Sequence, residues 1–396
     1  MSSVIKGSMY SVLGVFGAAN YFRGLNQQEL KLSKLQRNQR ILASPQFKNG
    51  KFINQMPRTP YNKNLFSDLN KATFGRTEFK PQHELPVYKI NHDLLNKRSE
   101  ELRVTWLGHS SLFIEMNATR FLLDPVFEFA SPLIAKPFFD RNMSAPVAKN
   151  ELPLPDVIVI SHDHYDHLEK STIQYFADKP LRFLVPLGVG QHLENWGVEP
   201  SKIQEFDWWE STLINGVKLT STPANHNSGR TGADSNSTLW CSWVLQSDNG
   251  SIFFSGDTAY DSHFSAIQKR LGHFDVAFLE VAANVKDGVG FPVENHGHMQ
   301  ACHTVRAFKD LKATKLFPIH WATFELFTHM WDEPMADLIQ EADVADVSLT
   351  TPMIGQTIYP KQEFETSYWW WQAEKAHVVD MLKAIDTELN VGTVNL

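Results

Sequence analysis

Cysteine is nearly absent: the 396 residues include only Cys241 and Cys302. Two thiols exclude a disulfide framework and any cysteine-rich zinc module, and they fit a reducing compartment. A bound transition metal would therefore have to be held by imidazole and carboxylate. A long apolar run is also missing. The best candidate, residues 9–22 (MYSVLGVFGAANYF), is uncharged but ends after fourteen residues, whereas a spanning helix needs roughly 17–25. Positive charge is not in excess, since 37 Lys and Arg face 44 Asp and Glu for a net charge of −7. That balance argues against general affinity for nucleic acid and against a nuclease. No short tandem repeat is visible, which excludes a solenoid. What is present is ordinary for a globular chain with room for a sizeable core: 42% hydrophobic and 20% charged residues. Aromatics are plentiful, with 11 Trp and 27 Phe, favouring large packed contacts or an apolar substrate surface.

Taken along its length, the chain divides into four stretches. Residues 1–54 form an apolar and basic segment, with Arg23, Lys31, Lys34, Arg37, Arg40, Lys48 and Lys51 against the single acid Glu29 after the apolar run. Positive charge following an apolar stretch stays on the cytoplasmic side, and the combination reads as a segment lying on anionic lipid. Membrane association at the cytoplasmic face is the expectation. A cleaved signal, with Lys6 before the run and Gly17-Ala18-Ala19 near its end, and a packed terminal helix stay open. Residues 55–100 are rich in Pro, Asn and Lys and read as an irregular arm, broken at Met56-Pro57-Arg58-Thr59-Pro60. Residues 101–360 carry the pattern of a folded domain. In residues 361–396, Tyr368-Trp369-Trp370-Trp371 precedes a helical stretch at 372–389. The aromatics are expected to pack that helix onto the domain, with a grip on lipid as the other reading.

Within the domain, 104–115 gives two short strands around a turn and 120–125 a third. Apolar strands follow at Val157–Ile160, Leu181–Val185, Val217–Thr222, Ser251–Phe254, Val276–Leu279 and Lys315–Ile319. Helix-compatible stretches at Ser262–Leu271 and Met299–Leu311 alternate with them, so sheets covered by helices are expected.

One stretch is chemically unusual. Ser161-His162-Asp163-His164-Tyr165-Asp166-His167-Leu168 packs three histidines and two carboxylates into six residues, directly after a buried strand. Such a cluster is costly to desolvate without a partner, and a metal ion is the simplest one. His162 and His164 alternate as on a strand and project to one side. Asp166 and His167 follow a turn and can face a second ion. Divided between two ions these ligands underfill both, so more must come from later strand ends. His226 follows Leu219–Thr222, Asp257 follows Ile252–Phe254, and His320 follows Leu316–Ile319. Each alone would read as a turn residue; their recurrence in this order after the histidine-rich stretch points to a shared metal site.

These residues resemble the metallo-β-lactamase superfamily, whose fold is a four-layer αββα sandwich of the α/β class. The resemblance implies that His162, His164 and His226 hold one zinc, that Asp166, His167 and His320 hold a second, and that Asp257 bridges them. It narrows further to the N-acylphosphatidylethanolamine-hydrolysing phospholipase D family over residues 102–335. The matching stretches include Trp106-Leu107-Gly108-His109, Leu123-Asp124-Pro125, Val185-Pro186-Leu187-Gly188 and Gly256-Asp257-Thr258-Ala259-Tyr260, and the narrowing rests on the tryptophan pair of Asp207-Trp208-Trp209-Glu210 and on Ile319-His320-Trp321-Ala322-Thr323-Phe324. That family places an active-site histidine before a Pro-Glu-Glu helix start. Here the region reads Glu294-Asn295-His296-Gly297-His298-Met299-Gln300-Ala301-Cys302-His303, so His296 and His298 both qualify and the Pro-Glu-Glu is missing.

The implied activity is hydrolysis of a phospholipid phosphodiester, of the phospholipase D type, by water activated between two zinc ions, with iron or manganese as alternative metals. Asp166, Asp257 and one of His296 and His298 are the catalytic candidates. Asp163 and His109 are expected to line or support the site, and Asp124 to orient a metal-binding histidine. A lactonase or sugar-phosphate hydrolase of the same superfamily, and a non-catalytic metal-binding protein, are the competing readings. The oligomeric state stays open, with a homodimer among the expected forms.

Overall fold

The computed structural model describes residues 27–58, 79–132, 139–231, 233–282, 295–327, 329–364 and 366–371. The apolar run at 9–22 and the helical stretch at 372–389 lie outside the described residues.

A helix over residues 27–43 opens the described chain. Arg37 docks it on the domain, reaching Glu194 Oε1 at 2.6 Å and Glu205 Oε2 at 2.8 Å, with all three groups nearly enclosed. Its opposite side presents Leu32, Leu35 and Leu42, exposed by 55%, 56% and 74%. At 100° per residue these fall within about 80° of one another. A two-residue-per-strand hairpin, β1 (Phe47–Lys48) and β2 (Lys51–Phe52), follows.

Two sheets carry the rest. The first comprises β3 (Arg103–Gly108), β4 (Ser111–Met116), β5 (Thr119–Leu123), β6 (Val157–Val159), β7 (Arg182–Pro186) and β8 (Ile203–Phe206) in that spatial order. It is antiparallel from β3 to β5 and parallel from β5 to β8. The second comprises β9 (Ser211–Ile214), β10 (Val217–Thr222), β11 (Ser242–Ser247), β12 (Gly250–Phe254), β13 (Val276–Glu280) and β14 (Lys315–Ile319). Its last three strands run parallel. A final short strand, β15 (Thr357–Ile358), returns to the free side of β3. Strands β3 to β6 are buried at every residue, as expected where both faces of a sheet are covered.

The sheets pack face to face. Trp106 and Leu112 of the first meet Leu245, Phe278 and Phe317 of the second in one apolar cluster, with Trp106 edge-on to Phe317 at 6.0 Å. On the outer face of the first sheet, Phe113, Ile158 and Phe183 pack with Ile173 and Phe176 of the helix Lys170–Phe176 and Leu193 of the helix Gly190–Asn195. The helices His263–Leu271, Ala301–Leu311 and Glu333–Val344 share the larger cluster through Phe264, Val305 and Leu338. This is the α/β sandwich expected from the motifs.

Six strands (β1, β2, β8, β9, β11 and β15) and the helices at 170, 190 and 333 go beyond the sequence reading. Polar residues such as Gln204, Glu205 and Gln246 interrupt the apolar signal in β8 and β11. Of the described parts of the arm, 55–58 and 79–100, the second is irregular apart from the helix His92–Asn96, whose Leu94 N–H is capped by Asn91 at 3.0 Å. The aromatic run turns inward: Trp369 and Trp370 are buried, and Trp370 meets Trp321 at 4.8 Å between ring centroids.

Candidate metal centre

The C-terminal ends of β3, β5, β6, β10, β12, β13 and β14 converge on one end of the sandwich. The loops that leave them hold His109, Asp124, residues 161–167, His226, Asp257 and His320. Closeness here is demanding. Gly256 has φ +53, and a Cβ on it would fall 2.6 Å from the Cβ of Ser161, so the β12 loop could not approach with a larger residue. His109 (φ 50), Asp124 (φ 39) and His320 (φ 70) are left-handed without being glycine, a strained conformation retained where surrounding contacts over-determine it.

Two groups of donor atoms result. In the first, His164 Nδ1 lies 2.9 Å from His162 Nε2 and 3.2 Å from His226 Nε2. Asp257 Oδ2 is 3.6 Å from both His162 Nε2 and His226 Nε2. In the second, Asp166 Oδ2 is 3.3 Å from His167 Nε2 and 3.3 Å from His320 Nε2. Asp257 Oδ1 closes that group at 3.1 Å from His167 Nε2 and 3.3 Å from His320 Nε2. Each oxygen of Asp257 therefore faces a different group. Two donors about 2.0–2.1 Å from a tetrahedral ion lie roughly 3.3 Å apart, so the spacings suit a pair of first-row cations. The nitrogens His167 Nε2 and His320 Nε2 and the oxygen Asp257 Oδ1 are buried with no hydrogen-bond partner. Such orphaned donors, converging with their lone pairs inward, fit metal ligands.

The two groups differ in charge. Burial keeps the imidazoles of His162, His164 and His226 below their ordinary range, hence neutral. Burial acts the same way on His167 and His320, but Asp257 and Asp166 outweigh it. His167 rises well above the ordinary range and His320 to about 10.

Supporting groups explain the orientations. Asp124 accepts from His167 Nδ1 at 2.7 Å and from the Ser161 N–H at 2.7 Å, so it does orient a candidate ligand. His109 Nε2 approaches Asp166 Oδ2 to 3.0 Å, and its ring lies 4.0 Å from that of His320. Its N–H donates to Thr323 Oγ1 at 2.6 Å, while Trp321 packs on Trp106 at 5.6 Å. The Trp-Leu-Gly-His and Ile-His-Trp-Ala-Thr-Phe stretches thus interlock behind the second group. Asp163 turns away from the donors and ties loops together through the Gly229 N–H at 2.7 Å and Thr238 Oγ1 at 2.8 Å. Trp208 donates to the Trp240 carbonyl at 2.7 Å, which makes the tryptophan pair part of the framework between the sheets.

The alternatives His296 and His298 separate. His298 Nδ1 is 3.9 Å from Asp257 Oδ2, and its ring sits 4.9 Å from His226 and 5.4 Å from His320. His296 stands one step back, at 6.2 Å from the His298 ring, with its carbonyl accepting from Arg58. The helix after His298 begins without Pro-Glu-Glu: Gln300 is the N-cap, and its N–H reaches His303 Nδ1 at 3.5 Å.

Three participants had no clear signal in the sequence. Asn54 clamps the backbone of His226, donating to its carbonyl at 2.8 Å and accepting from its N–H at 3.0 Å. Arg58 donates to Asn227 Oδ1, and Asn227 Nδ2 lies 3.2 Å from His164 Nε2. Glu280, fully buried at the end of β13, accepts from His298 Nδ1 at 2.7 Å. Asn54 ends the stretch read as an apolar and basic segment and Arg58 lies in the stretch read as an irregular arm, both far in sequence from what they touch.

Known proteins share this fold. A family model described as "Beta-lactamase superfamily domain" matches residues 119–321. An uncharacterized protein of Mycobacterium tuberculosis is 33% identical over 336 residues, covering 83% of this chain and 87% of the relative. The N-acyl-phosphatidylethanolamine-hydrolyzing phospholipase D 1 of Caenorhabditis elegans is 29% identical over 287 residues, covering 69% of this chain and 79% of the relative. Among solved structures, a possible metal-dependent hydrolase from Veillonella parvula superposes with a TM-score of 0.52 at 17% identity, over 65% of this chain and 99% of that chain.

Proposed function

We propose, from the premise that the chain belongs to the metallo-β-lactamase superfamily and is a metal-dependent hydrolase, that it cleaves the phosphodiester of N-acylphosphatidylethanolamine-like lipids. Water would enter and the products would be N-acylethanolamine and phosphatidic acid. The observation that carries the reading is the pair of donor groups sharing Asp257, with His298 at their rim. The name of the nematode relative supports the substrate class.

His162, His164, His226 and Asp257 Oδ2 would hold one divalent cation, and Asp166, His167, His320 and Asp257 Oδ1 the other. Such a pair, zinc in the first instance, activates water near neutral pH and neutralises charge developing on the phosphoryl oxygens. The chain's own part is to fix this frame and to manage the proton. As water oxygen bonds to phosphorus and the bond to the ethanolamine oxygen breaks, His298 Nε2, kept unprotonated by burial, takes up the proton that the water releases and passes it to the departing oxygen. Asp166 and Asp257 act as charged anchors of the frame.

The outward leucines of helix 27–43, flanked by Lys31 and Lys34, suit a shallow contact with an anionic bilayer. The test is turnover of N-acylphosphatidylethanolamine in anionic vesicles and in detergent micelles, with a γ-lactone as comparison. We expect phospholipid cleavage, and we expect Leu32→Glu with Leu35→Glu to slow vesicle turnover several-fold more than micelle turnover. Good lactone turnover with no phospholipid product would reject the substrate, and equal losses in both lipid forms would reject the membrane contact.

A further inference from the structure

Glu280 is out of place on physical grounds. β13 is buried at all five residues, and burying a carboxylate in an otherwise apolar strand costs several kcal/mol unless its lone pairs are used. It also stands beside Asp257, a like charge, which adds to the cost of placing it there. Both its oxygens are engaged. Oε1 accepts from the Thr258 N–H, and Oε2 meets His298 Nδ1 at 2.7 Å. Its backbone is pinned as well, with Thr304 Oγ1 donating to its carbonyl at 2.8 Å.

His298, by contrast, sits on an irregular stretch between the left-handed residues Asn295 and Gly297 and the N-cap Gln300. Its ring is walled by His226 and by Phe327, whose centroid is 5.2 Å away, contacts that do not distinguish one ring nitrogen from the other. The contact to Glu280 removes that freedom: with Nδ1 turned to the carboxylate, Nε2 is the nitrogen left to face substrate. The side chain keeps 15% exposure, whereas Glu280 keeps none.

We propose that Glu280 is a positioning residue that acts through His298, anchoring the ring by Nδ1 so that Nε2 meets the leaving oxygen. The inference rests on the hydrolytic role given to His298 above. A competing role is visible on the same side chain: through the Thr258 N–H, Glu280 could instead shape the turn that carries Asp257.

A double-mutant cycle separates the two. Glu280→Gln keeps the volume, and Glu280→Asp keeps the charge but withdraws it by one methylene. His298→Ala is expected to lower kcat about 10²-fold or more, as loss of a proton donor does. Glu280→Gln should lower kcat at least tenfold in the unsubstituted background, but less than about threefold in the His298→Ala background, with KM and metal content held. Glu280→Asp should show the same dependence on His298. Equal losses in both backgrounds would overturn the proposal in favour of the Asp257 turn, and a fall in bound metal would overturn it by making Glu280 a ligand. The cycle is run on N-acylphosphatidylethanolamine and on a γ-lactone. Turnover of the lactone alone rejects the phospholipid reading, while the cycle on the lactone still decides the role of Glu280.

Discussion

The two halves of the metal centre are made of the same kinds of side chain and are held in opposite ways. Asp166, His167 and His320 sit among carboxylates and strand-borne supports: Asp124 at the end of β5, His109 at the end of β3, and Thr323 beneath His109. Among the described residues no carboxylate hydrogen-bonds the outer nitrogen of His162, His164 or His226 directly, and Asp124 reaches His162 only through the Ser161 hydroxyl. His162 Nδ1 meets Ser161 Oγ at 2.9 Å, His226 Nδ1 donates to the Gly297 carbonyl at 2.6 Å, and His164 leans on Asn227. Their outer brace is Asn54 and Arg58, residues that come from before the sandwich begins. Imidazole basicity follows the same division: burial lowers it in one half, and with no ion bound the carboxylates raise it in the other. One half is therefore completed by the fold, and the other by a strap laid over it.

The comparison can be broken from either side. Asp124→Asn strikes the carboxylate-backed half and should have the largest effect. Loss of an anchoring partner of this kind costs about 10–100-fold in metal affinity, so titration calorimetry should show one site weakened by that factor and the other nearly intact. Equal weakening of both sites would mean that the halves are not separately supported. Asn54→Ala strikes the strapped half and is expected to be milder, because two hydrogen bonds to the His226 backbone contribute about 1 kcal/mol each. A few-fold weakening confined to the other site is the expected result; an unchanged titration would remove the strap from the account.

The smallest effect concerns protons. His320 titrates near 10 in the folded chain against about 6.5 when unfolded, and His167 is raised as well. Their ion pairs therefore contribute stability that is complete below pH 6.5 and is lost as pH rises through 10. With metal removed by a chelator, Tm should fall by a few degrees between pH 7 and pH 10. His109, which burial lowers to about 3, acts in the other direction and weakens the fold below pH 6.5. A Tm that climbs from pH 7 to pH 10 would show that the carboxylate-backed half is not protonated in the way its geometry requires.

Much of this centre is legible in the sequence because it is written at strand ends. The buried strands Val157–Val159, Gly250–Phe254 and Lys315–Ile319 have clear apolar runs, and each is followed by a histidine or aspartate whose recurrence at strand ends marks a candidate ligand. Asp124 is legible for the same reason, in its Leu-Asp-Pro turn. Glu280 is not. It ends an apolar strand as any polar residue does, and its partner His298 lies 18 positions later. Asn54 is harder still: its partner His226 is 172 positions away, and nothing in a run of Gln, Lys and Asn marks one amide as a backbone clamp. Periodicity reports the burial of a segment, whereas single hydrogen bonds between distant loops leave no local pattern. The choice between His296 and His298 was undecidable for that reason, and a single carboxylate contact separates them.

The return of β15 to β3 has a consequence for synthesis. Thr357 pairs with Thr105, and their hydroxyls meet at 2.7 Å across 252 positions of chain. At translation rates of roughly 5–20 residues per second, β3 emerges about 10–50 s before the strand that covers its edge. Throughout that interval the nascent chain carries an open strand next to Trp106, a template for pairing with other chains. Yield in a cell should therefore depend on translation speed and on holding chaperones, even where the finished protein is stable.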